Sequence, residues 1–393
     1  VGDDHLVTAT VETKDGNGPW TAAEGVTVDL ALTGAGEFVS GDDDCVTTAA
    51  GTCTVSIDSK IVGTSVVSAT ATPTVHGVSI KRSTDATIAP NGPGGTGNLT
   101  KRWADASIKV EETAINEVND KHTFTVTVEA QRPTNETLSF SDVTLSVDPA
   151  TPILDSTCAS PTVNGEAATC TFAIISAEAG IFDVDAAATV TFNDGKADEL
   201  TVTRSTRGNA GPNGNDGATK RFVDARVSVG PDGTNKIGDD HTVIGKAEFN
   251  DGTGWKRAEG ETITFAITQG VGDFVGGNSC TAGDDGTCSV AIDSDEAGVT
   301  WVSASTSYDV PDGVPGAPIL SRTTSTGGPT DPANLRKEWV AAVIEITPSE
   351  VNPVGRPHVF DVKVTADSSG ADVDFGEVTT SVTPAPDSKS DTC

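Results

Sequence analysis

Several residue types are rare in this sequence, and each shortage argues against a class of partner or of structure. The 393 residues include no Met, and because a translated chain starts with Met we expect a processed or trimmed piece of a longer protein. The 25 Lys and Arg residues are outnumbered by 57 Asp and Glu, which gives a net charge of −32. Nucleic acids and anionic membranes bind clustered Lys and Arg, so we expect neither as a partner. No apolar run approaches the ~20 residues of a membrane helix, so we expect no membrane insertion in this segment.

Two patterns in register define an internal repeat. A basic–aromatic segment occurs at 101–106 (KRWADA), 220–225 (KRFVDA) and, more loosely, 337–342 (KEWVAA). A strand-like run opens with histidine in each repeat, at steps of 117, 119 and 117 residues: His5, His122, His241 and His358. Self-similarity at a fixed period is the signature of repeat architectures, and it predicts four domains here.

A longer period of 235 residues overlies the first. It relates Cys45 to Cys280 and Cys158 to Cys393, so two domain types, A and B, alternate along the chain. The predicted divisions are a type A domain at 1–84 that lacks its first strand, a linker at 85–100, a type B domain at 101–206, a linker at 207–219, a second type A domain at 220–325, a linker at 326–336, and a truncated type B domain at 337–393.

Hydrophobicity within each repeat alternates with a period of two. Apolar residues alternate with Thr, Asp and Ala in the run 26–32 and with Thr in the run 124–128. This pattern is typical of antiparallel strands with one buried face, and no segment sustains a helical period. About seven strands fit each repeat, as in an immunoglobulin-like sandwich of ~100 residues. We therefore predict an all-β fold of tandem immunoglobulin-like β-sandwich domains in an extended array.

The second half of the type A repeat resembles bacterial Ig-like domains of the invasin/intimin group. The resemblance is carried by 50–59 (AGTCTVSIDS) with 66–70 (VVSAT), and again by 285–294 (DGTCSVAIDS) with 302–305 (VSAS). The type B repeats resemble the group less, through 170–174 (CTFAI). The resemblance implies a tandem stalk in a large bacterial or archaeal surface protein or adhesin, and it implies no catalytic residues. The cysteines are a departure from the family, which has no fixed disulfide.

Each repeat carries its own cysteine pair, with a fourth pair cut at the chain end. The pairs are Cys45/Cys53, Cys158/Cys170 and Cys280/Cys288, with Cys393 as the first member of a pair whose partner lies beyond the chain end. This spacing predicts disulfides that pin a loop to the following strand, and these imply an oxidising, extracellular compartment. The alternative is zinc, which needs four clustered ligands and typically C-x₂₋₄-C spacing; the sequence lacks that spacing.

Other candidate sites are weaker. Two sequons make Asn98 and Asn135 candidate glycosylation sites. Acidic loops such as 42–44 could hold Ca²⁺, but they do not match an EF-hand, so we expect no cofactor and keep calcium as the alternative. For the four histidines we expect a strand-end hydrogen-bonding role, with a metal site as the alternative.

The leading functional prediction is structural. We expect a segment of a secreted, repetitive cell-surface protein that acts as a stalk, fibre or adhesin shaft and is not an enzyme. Its partners would be neighbouring repeats of the same protein, including self-assembly into fibres. The alternative is an adhesive module that binds glycan or a host protein, with Trp20, Trp255 and Trp301 as candidate contact residues.

The residues just after the linkers allow two interpretations. The linkers are rich in Gly, Pro and Asn and are predicted to be semi-rigid spacers. Trp103, Phe222 and Trp339 follow them at the start of a strand. We expect each aromatic side chain to anchor the core of its own domain; the alternative is that it packs on the neighbouring domain and restricts the hinge.

Overall fold

The computed structural model describes residues 1–111, 113–134, 136–193, 195, 199–310, 317–324, 334–368 and 372–383. The chain divides into two compact units, the first comprising 1–113, 121–175 and 182–220 and the second 114–120, 176–181 and 221–393. Regular structure in the described residues consists of β-strands and one short 3₁₀ turn at Val39–Gly41, which confirms the predicted all-β class. Within these residues, no helix has the length and apolarity that crossing a membrane requires. The predicted division into four domains stays a prediction.

The longest strand of the first type A repeat has 9 residues, and the longest of the type B repeat after it has 14. The first repeat contains β1 His5–Thr10, β2 Glu12–Lys14, β3 Trp20–Ala22, β4 Thr27–Gly34, β5 Glu37–Phe38, β6 Asp44–Val46, β7 Thr52–Asp58, β8 Gly63–Ala71, β9 Thr74–Val75, β10 Val78–Ser79, β11 Arg82–Ser83 and β12 Leu99–Trp103. The next contains β13 Asp105–Val110, β14 Ala114–Glu117, β15 His122–Gln131, β16 Thr137–Phe140, β17 Thr144–Asp148, β18 Ile153–Leu154, β19 Thr162–Asn164, β20 Ala167–Ile174, β21 Gly180–Asn193 and β22 Leu200–Ser205.

The second half of the chain follows the same plan. The second type A repeat contains β23 Ala218–Gly230, β24 Gly233–Lys236, β25 His241–Asn250, β26 Trp255–Arg257, β27 Thr262–Gly270, β28 Asp273–Val275, β29 Ser279–Thr281, β30 Thr287–Asp293, β31 Gly298–Asp309 and β32 Ile319–Thr323. The last described strands are β33 Leu335–Thr347 and β34 Asp361–Asp367.

The first type A repeat is a sandwich of two antiparallel sheets. One sheet has the order β1–β7–β5, and the other has β11–β8–β4–β6, with β12 also paired to β8. Val7 and Ile57 of the first sheet pack with Val28 and Leu30 of the second in one apolar core. In β4 these buried residues alternate with exposed Thr and Asp, as the period of two predicted.

The segment predicted as the first linker begins and ends at one sheet edge. β11 pairs with Ala71 and Thr70 of β8, and β12 pairs with β8 from Val67 to Gly63. Residues 84–98 therefore leave and rejoin the same neighbouring strand. Thr84 donates a hydrogen bond to Asn98 across the base of this excursion, at 2.9 Å.

The type B repeat in unit 1 also has two layers. One sheet has the order β13–β15–β20–β18, and in the other β16, β17 and β22 pair with β21. Phe124 and Phe172 stack in its core with ring centroids 5.4 Å apart. The segment predicted as the second linker lies along the open edge of β13, where Ile108 N–H donates to the Ala210 carbonyl at 2.9 Å. Covering an edge in this way removes a template for unwanted strand pairing.

The second type A repeat, in unit 2, repeats the sandwich with an additional first strand. Its sheets include β25–β30–β28 and β24–β33–β31–β27–β29. Ile263, Phe265 and Trp339 are fully buried in its core. β24 runs parallel to β33, with Gly233 opposite Lys337, so the beginning and the end of this sandwich lie side by side.

Candidate functional site: the strand between consecutive repeats

One segment of backbone belongs to two sandwiches in unit 1. β12 completes the type A repeat by pairing with β8, and β13 begins the type B repeat by pairing with β15. A single residue, Ala104, separates them. In unit 2 one continuous strand also has two successive partners: Leu335–Trp339 pairs with β31 of the type A sandwich, and Ala341–Thr347 pairs with β34, the last described strand. We call these two segments the junction strands.

The first junction strand overlaps the predicted start of the type B domain. That domain is predicted to begin at 101, and pairing with the preceding sandwich continues to Trp103. Trp103 lies in the core of the type A repeat that precedes it, and Trp339 lies in the equivalent core of unit 2. The expectation that these tryptophans anchor their own domains is therefore wrong, and the alternative, packing on the neighbouring repeat, holds. The cause is the position of the tryptophan in the first part of the junction strand, which pairs with the preceding sandwich.

Each junction tryptophan is held by a hydrogen-bonded relay as well as by packing. Trp103 Nε1 donates to Ser65 Oγ at 2.7 Å, and Ser65 Oγ donates to the Ala35 carbonyl. Trp339 Nε1 donates to Thr300 Oγ1 at 2.8 Å, and Thr300 donates to the Val271 carbonyl. A buried indole N–H needs an acceptor, and the hydroxyl supplies it while satisfying a carbonyl that would otherwise lack a donor.

A lysine two residues before each tryptophan lies beside one of the four histidines that recur with the repeat. The Lys101 ammonium lies 5.3 Å from the centre of the Trp103 ring and 3.3 Å from Nδ1 of His5. The Lys337 ammonium lies 4.9 Å from the Trp339 ring. Burial lowers the pKa of Lys337 to about 8 and also lowers the pKa of Lys101. Loss of hydration destabilises the charged amine, which is why both shifts go downward.

The pKa values of three of the recurring histidines, His5, His122 and His241, are also lowered. Burial, with Lys101 nearby, lowers the pKa of His5, and burial lowers the pKa of His122 to about 4. His241 Nε2 lies 3.1 Å from the Pro231 carbonyl, and His358 Nε2 lies 3.4 Å from the Pro348 carbonyl. The predicted strand-end hydrogen bonds are therefore present at both of these positions.

A second buried pair ties the first strand of each sandwich to its last. In unit 1 the Arg204 guanidinium binds the Asp105 carboxylate, and its Nε donates to the Ala106 carbonyl at 2.9 Å. In unit 2 Arg322 binds Asp224 at 2.5 Å, and its Nε donates to the Ala225 carbonyl at 2.8 Å. Arg322 also contacts Glu117 at 2.5 Å. Sequence reasoning missed these pairs, although both partners recur in register with the repeat.

All three predicted cysteine pairs are disulfide-bonded in the structure: Cys45–Cys53, Cys158–Cys170 and Cys280–Cys288. In the type A repeats each bond joins the two layers, because its cysteines lie on strands of different sheets. Cys393 lies outside the described residues.

The remaining predicted sites are not brought together. Asn98 is exposed, whereas Asn135 lies outside the described residues. Among the residues with described positions, no three His, Cys, Asp or Glu side chains group as a metal site would require. Trp20 and Trp255 are exposed in equivalent hairpins of the two type A repeats, and Arg226 stacks on Trp255 at 4.2 Å. Trp301 is half-buried on β31.

Comparison with known proteins assigns this chain to no family, although it is similar to several solved structures. No protein-family model matches the chain, and no curated protein matches it. Among solved structures, the adhesin InvE of Yersinia pseudotuberculosis is 14% identical, with a TM-score of 0.19, over 58% of this chain and 58% of its own. The D0–D1 domain of intimin is 13% identical, with a TM-score of 0.21, over 60% of this chain and 100% of its own. Invasin, a bacterial integrin-binding protein, is 13% identical, with a TM-score of 0.23, over 87% of this chain and 62% of its own.

This chain thus spans just over half the length of InvE. All three structures are adhesins or adhesin domains, but TM-scores this low carry no argument about function. The sandwich fold described above rests on the strand pairing and the buried cores of this chain.

Proposed function

We propose that this chain is a structural segment of an extracellular surface protein, serving as a stalk, fibre or adhesin shaft. The observation that carries the proposal is the junction strand, which finishes one sandwich and starts the next. Tension applied along the backbone at Trp103 would be resisted by the pairing of β12 with β8 and by burial of the indole. Past Ala104 it would be resisted by the pairing of β13 with β15.

Three further features support a load-bearing role. The disulfides of the type A repeats link the two layers of a sandwich, which limits how far the covalent chain can extend when a domain opens. The buried arginine–aspartate pairs tie the first strand of a sandwich to its last. Disulfides also persist in oxidising surroundings, which is consistent with an extracellular location.

The proposal can be tested by pulling the full chain between its two ends in a single-molecule force experiment. We expect discrete unfolding events, and longer extensions after an event when the disulfides are reduced. A smooth extension at low force, without discrete events, would contradict a load-bearing role. Trp20→Ala is the matched control, because its side chain is exposed and it should leave the unfolding forces unchanged.

A second candidate function is adhesive binding, favoured by the exposed Trp20 and Trp255. Exposed aromatic rings can stack on sugars or on a protein partner. A glycan array probed with the full chain tests this candidate. Binding lost in the double variant Trp20→Ala plus Trp255→Ala, and kept in Trp301→Phe, would support it. Absence of binding to every glycan would leave the shaft as the better proposal.

A further inference from the structure

The buried lysine of the second junction strand lies against a side-chain amide. Lys337 is fully buried, and its Nζ lies 2.7 Å from Oδ1 of Asn235. The two residues are held in place by the backbone, since β24 and β33 pair in parallel at this point. Oδ1 is bonded to the amide carbon Cγ, so the amine lies next to an electrophilic centre. Positioning reactants at contact distance supplies a large part of the barrier reduction in intramolecular reactions.

The amide itself has a fixed orientation. Asn235 Nδ2 donates to the Asp240 carbonyl at 2.9 Å and to the Asp239 carbonyl at 3.3 Å. With Nδ2 held by two backbone acceptors, Oδ1 faces the lysine. The side chain therefore cannot turn away from Lys337 without breaking three hydrogen bonds.

A proton acceptor lies beside the lysine. The Pro231 carbonyl can only accept, so His241 Nε2 carries the hydrogen of their 3.1 Å contact. Nδ1 of the neutral ring is then a free base, and burial favours the neutral ring by lowering the pKa of His241. A Cβ placed on Gly233 would lie 3.6 Å from Lys337 Nζ and 3.7 Å from His241 Nδ1, so both atoms face the space that this glycine leaves open.

The first junction shows the same contact directly. His5 Nδ1 lies 3.3 Å from Lys101 Nζ, which is hydrogen-bond geometry for proton transfer between the two groups. The position that corresponds to Asn235 would be six residues before His5 and falls outside this sequence. In this chain Lys101 therefore has the histidine contact alone.

The sequence repeats the whole set. An asparagine stands six residues before the histidine at Asn116/His122, Asn235/His241 and Asn352/His358. Between the two, each segment also has an apolar residue followed by a residue with positive φ: Asn119, Gly238 and Gly355. The asparagine, the turn and the histidine therefore recur as one unit.

We propose that Lys337 and Asn235 form an intramolecular isopeptide bond, with His241 as the proton-transfer group. The Lys337 amine attacks Cγ of Asn235, and a new Nζ–Cγ bond forms. The Cγ–Nδ2 bond breaks, and Nδ2 leaves as ammonia. His241 Nδ1 takes the proton that Nζ loses and delivers it to the departing nitrogen, so one amine and one primary amide become one secondary amide and one ammonia. No oxidant, reductant or cofactor is required.

The buried amine gives this reaction a driving force. An ammonium removed from water without a counter-ion is costly, and desolvation is the cause of the lowered pKa of Lys337. That shift also leaves a reactive, neutral fraction of the amine near neutral pH. The secondary amide carries no charge, so bond formation removes the cost. The bond would join β24 to the junction strand β33. This inference goes beyond the proposed function and does not rest on it.

The test is the mass of the full chain, measured denatured and with its disulfides reduced. We expect the wild-type chain to be lighter than its sequence mass, and we expect Asn235→Ala and Lys337→Arg each to regain the mass of one ammonia. Lys101→Arg is the matched control and should regain nothing. Proteolysis of the wild-type chain should release a branched peptide that joins the segments containing Asn235 and Lys337.

His241→Ala separates a catalytic role from a structural one. General acid–base catalysis typically contributes about 10²–10⁴-fold, so bond formation in this variant should be slowed by about that factor while both reacting side chains are retained. A wild-type mass equal to the sequence mass, or an ammonia loss without the branched peptide, as a cyclised asparagine elsewhere would give, would overturn the proposal. Because the mass is measured on unfolded chains of the wild type, the result does not depend on whether a variant folds.

Discussion

The two type A repeats end in the same way but surround their final lysine differently. Both bury a tryptophan whose indole N–H reaches a hydroxyl, Ser65 in one repeat and Thr300 in the other. Lys101 contacts His5, whereas Lys337 donates to Asn235. The tryptophan anchor therefore needs only a hydroxyl at one position of the preceding sheet. The lysine environment depends on a first strand that lies far away in sequence.

The largest expected effect comes from removing the anchor. Trp103→Ala and Trp339→Ala should each lower the free energy of unfolding of the type A sandwich before the junction by about 3–5 kcal/mol, because each empties a buried aromatic site. Urea unfolding followed by circular dichroism, with hydrogen exchange to locate the change, measures this. Trp20→Ala should stay within about 0.5 kcal/mol because its ring is exposed. A loss of stability located in the following type B repeat would contradict the placement of the tryptophan in the core of the type A repeat.

Removing the arginine of each arginine–aspartate pair should lower the stability of the two repeats to different extents. Arg322→Met leaves Asp224 and Glu117 without their cation, and removal of one partner from a buried pair typically costs about 3–5 kcal/mol. Arg204→Met should cost less, since the Arg204 side chain is 14% exposed and that of Arg322 is 6% exposed. The measurement is the urea midpoint of each variant. Equal losses in both repeats would contradict the dependence on burial.

The relay hydroxyls should have a smaller effect. Thr300→Val keeps the shape of the side chain but leaves Trp339 Nε1 without its acceptor and the Val271 carbonyl without its donor, at a cost of about 1–3 kcal/mol. Ser65→Ala should act in the same way on Trp103. If the relay is interchangeable, the swaps Ser65→Thr and Thr300→Ser should each change the melting temperature far less than these deletions do.

The smallest expected effect is a pH dependence in the first type B repeat. Burial lowers the pKa of His122 to about 4, from about 6.5 in the unfolded chain. Between these values the unfolded state binds the extra proton, so stability should fall as pH drops from about 6.5 to about 4. We expect under about 1 kcal/mol, because the ring is only half-buried and solvent screens its charge.

The control for this effect is His122→Gln. Many carboxylates also titrate near pH 4, so the quantity to compare is the difference between the urea midpoints of the wild type and the variant at each pH. That difference should shrink as the pH falls through the window. A difference that stays constant would show that His122 does not titrate differently on unfolding.

The regular parts of the fold could be predicted because they depend on local pattern. The alternation in 26–32 and 124–128 fixed which faces are buried, and the structure buries Val28, Leu30 and Phe124 accordingly. The cysteine pairs lie within 12 residues of each other, so spacing alone identified them. The tryptophan anchor was only one of two interpretations, because a residue on a strand shared by two sheets has no local signal for the core it enters.

The repeat, the all-β class and the cysteine pairs follow from periodicity and from short separations along the chain, so they could be predicted from the order of the residues. The contacts at the junction arise only when the chain folds. Asn235 and Lys337 are 102 residues apart, and Asp105 and Arg204 are 99 apart. Such pairs meet because strands near the beginning and the end of a sandwich become neighbours on folding. Which strands become neighbours is decided by the topology and not by any local pattern.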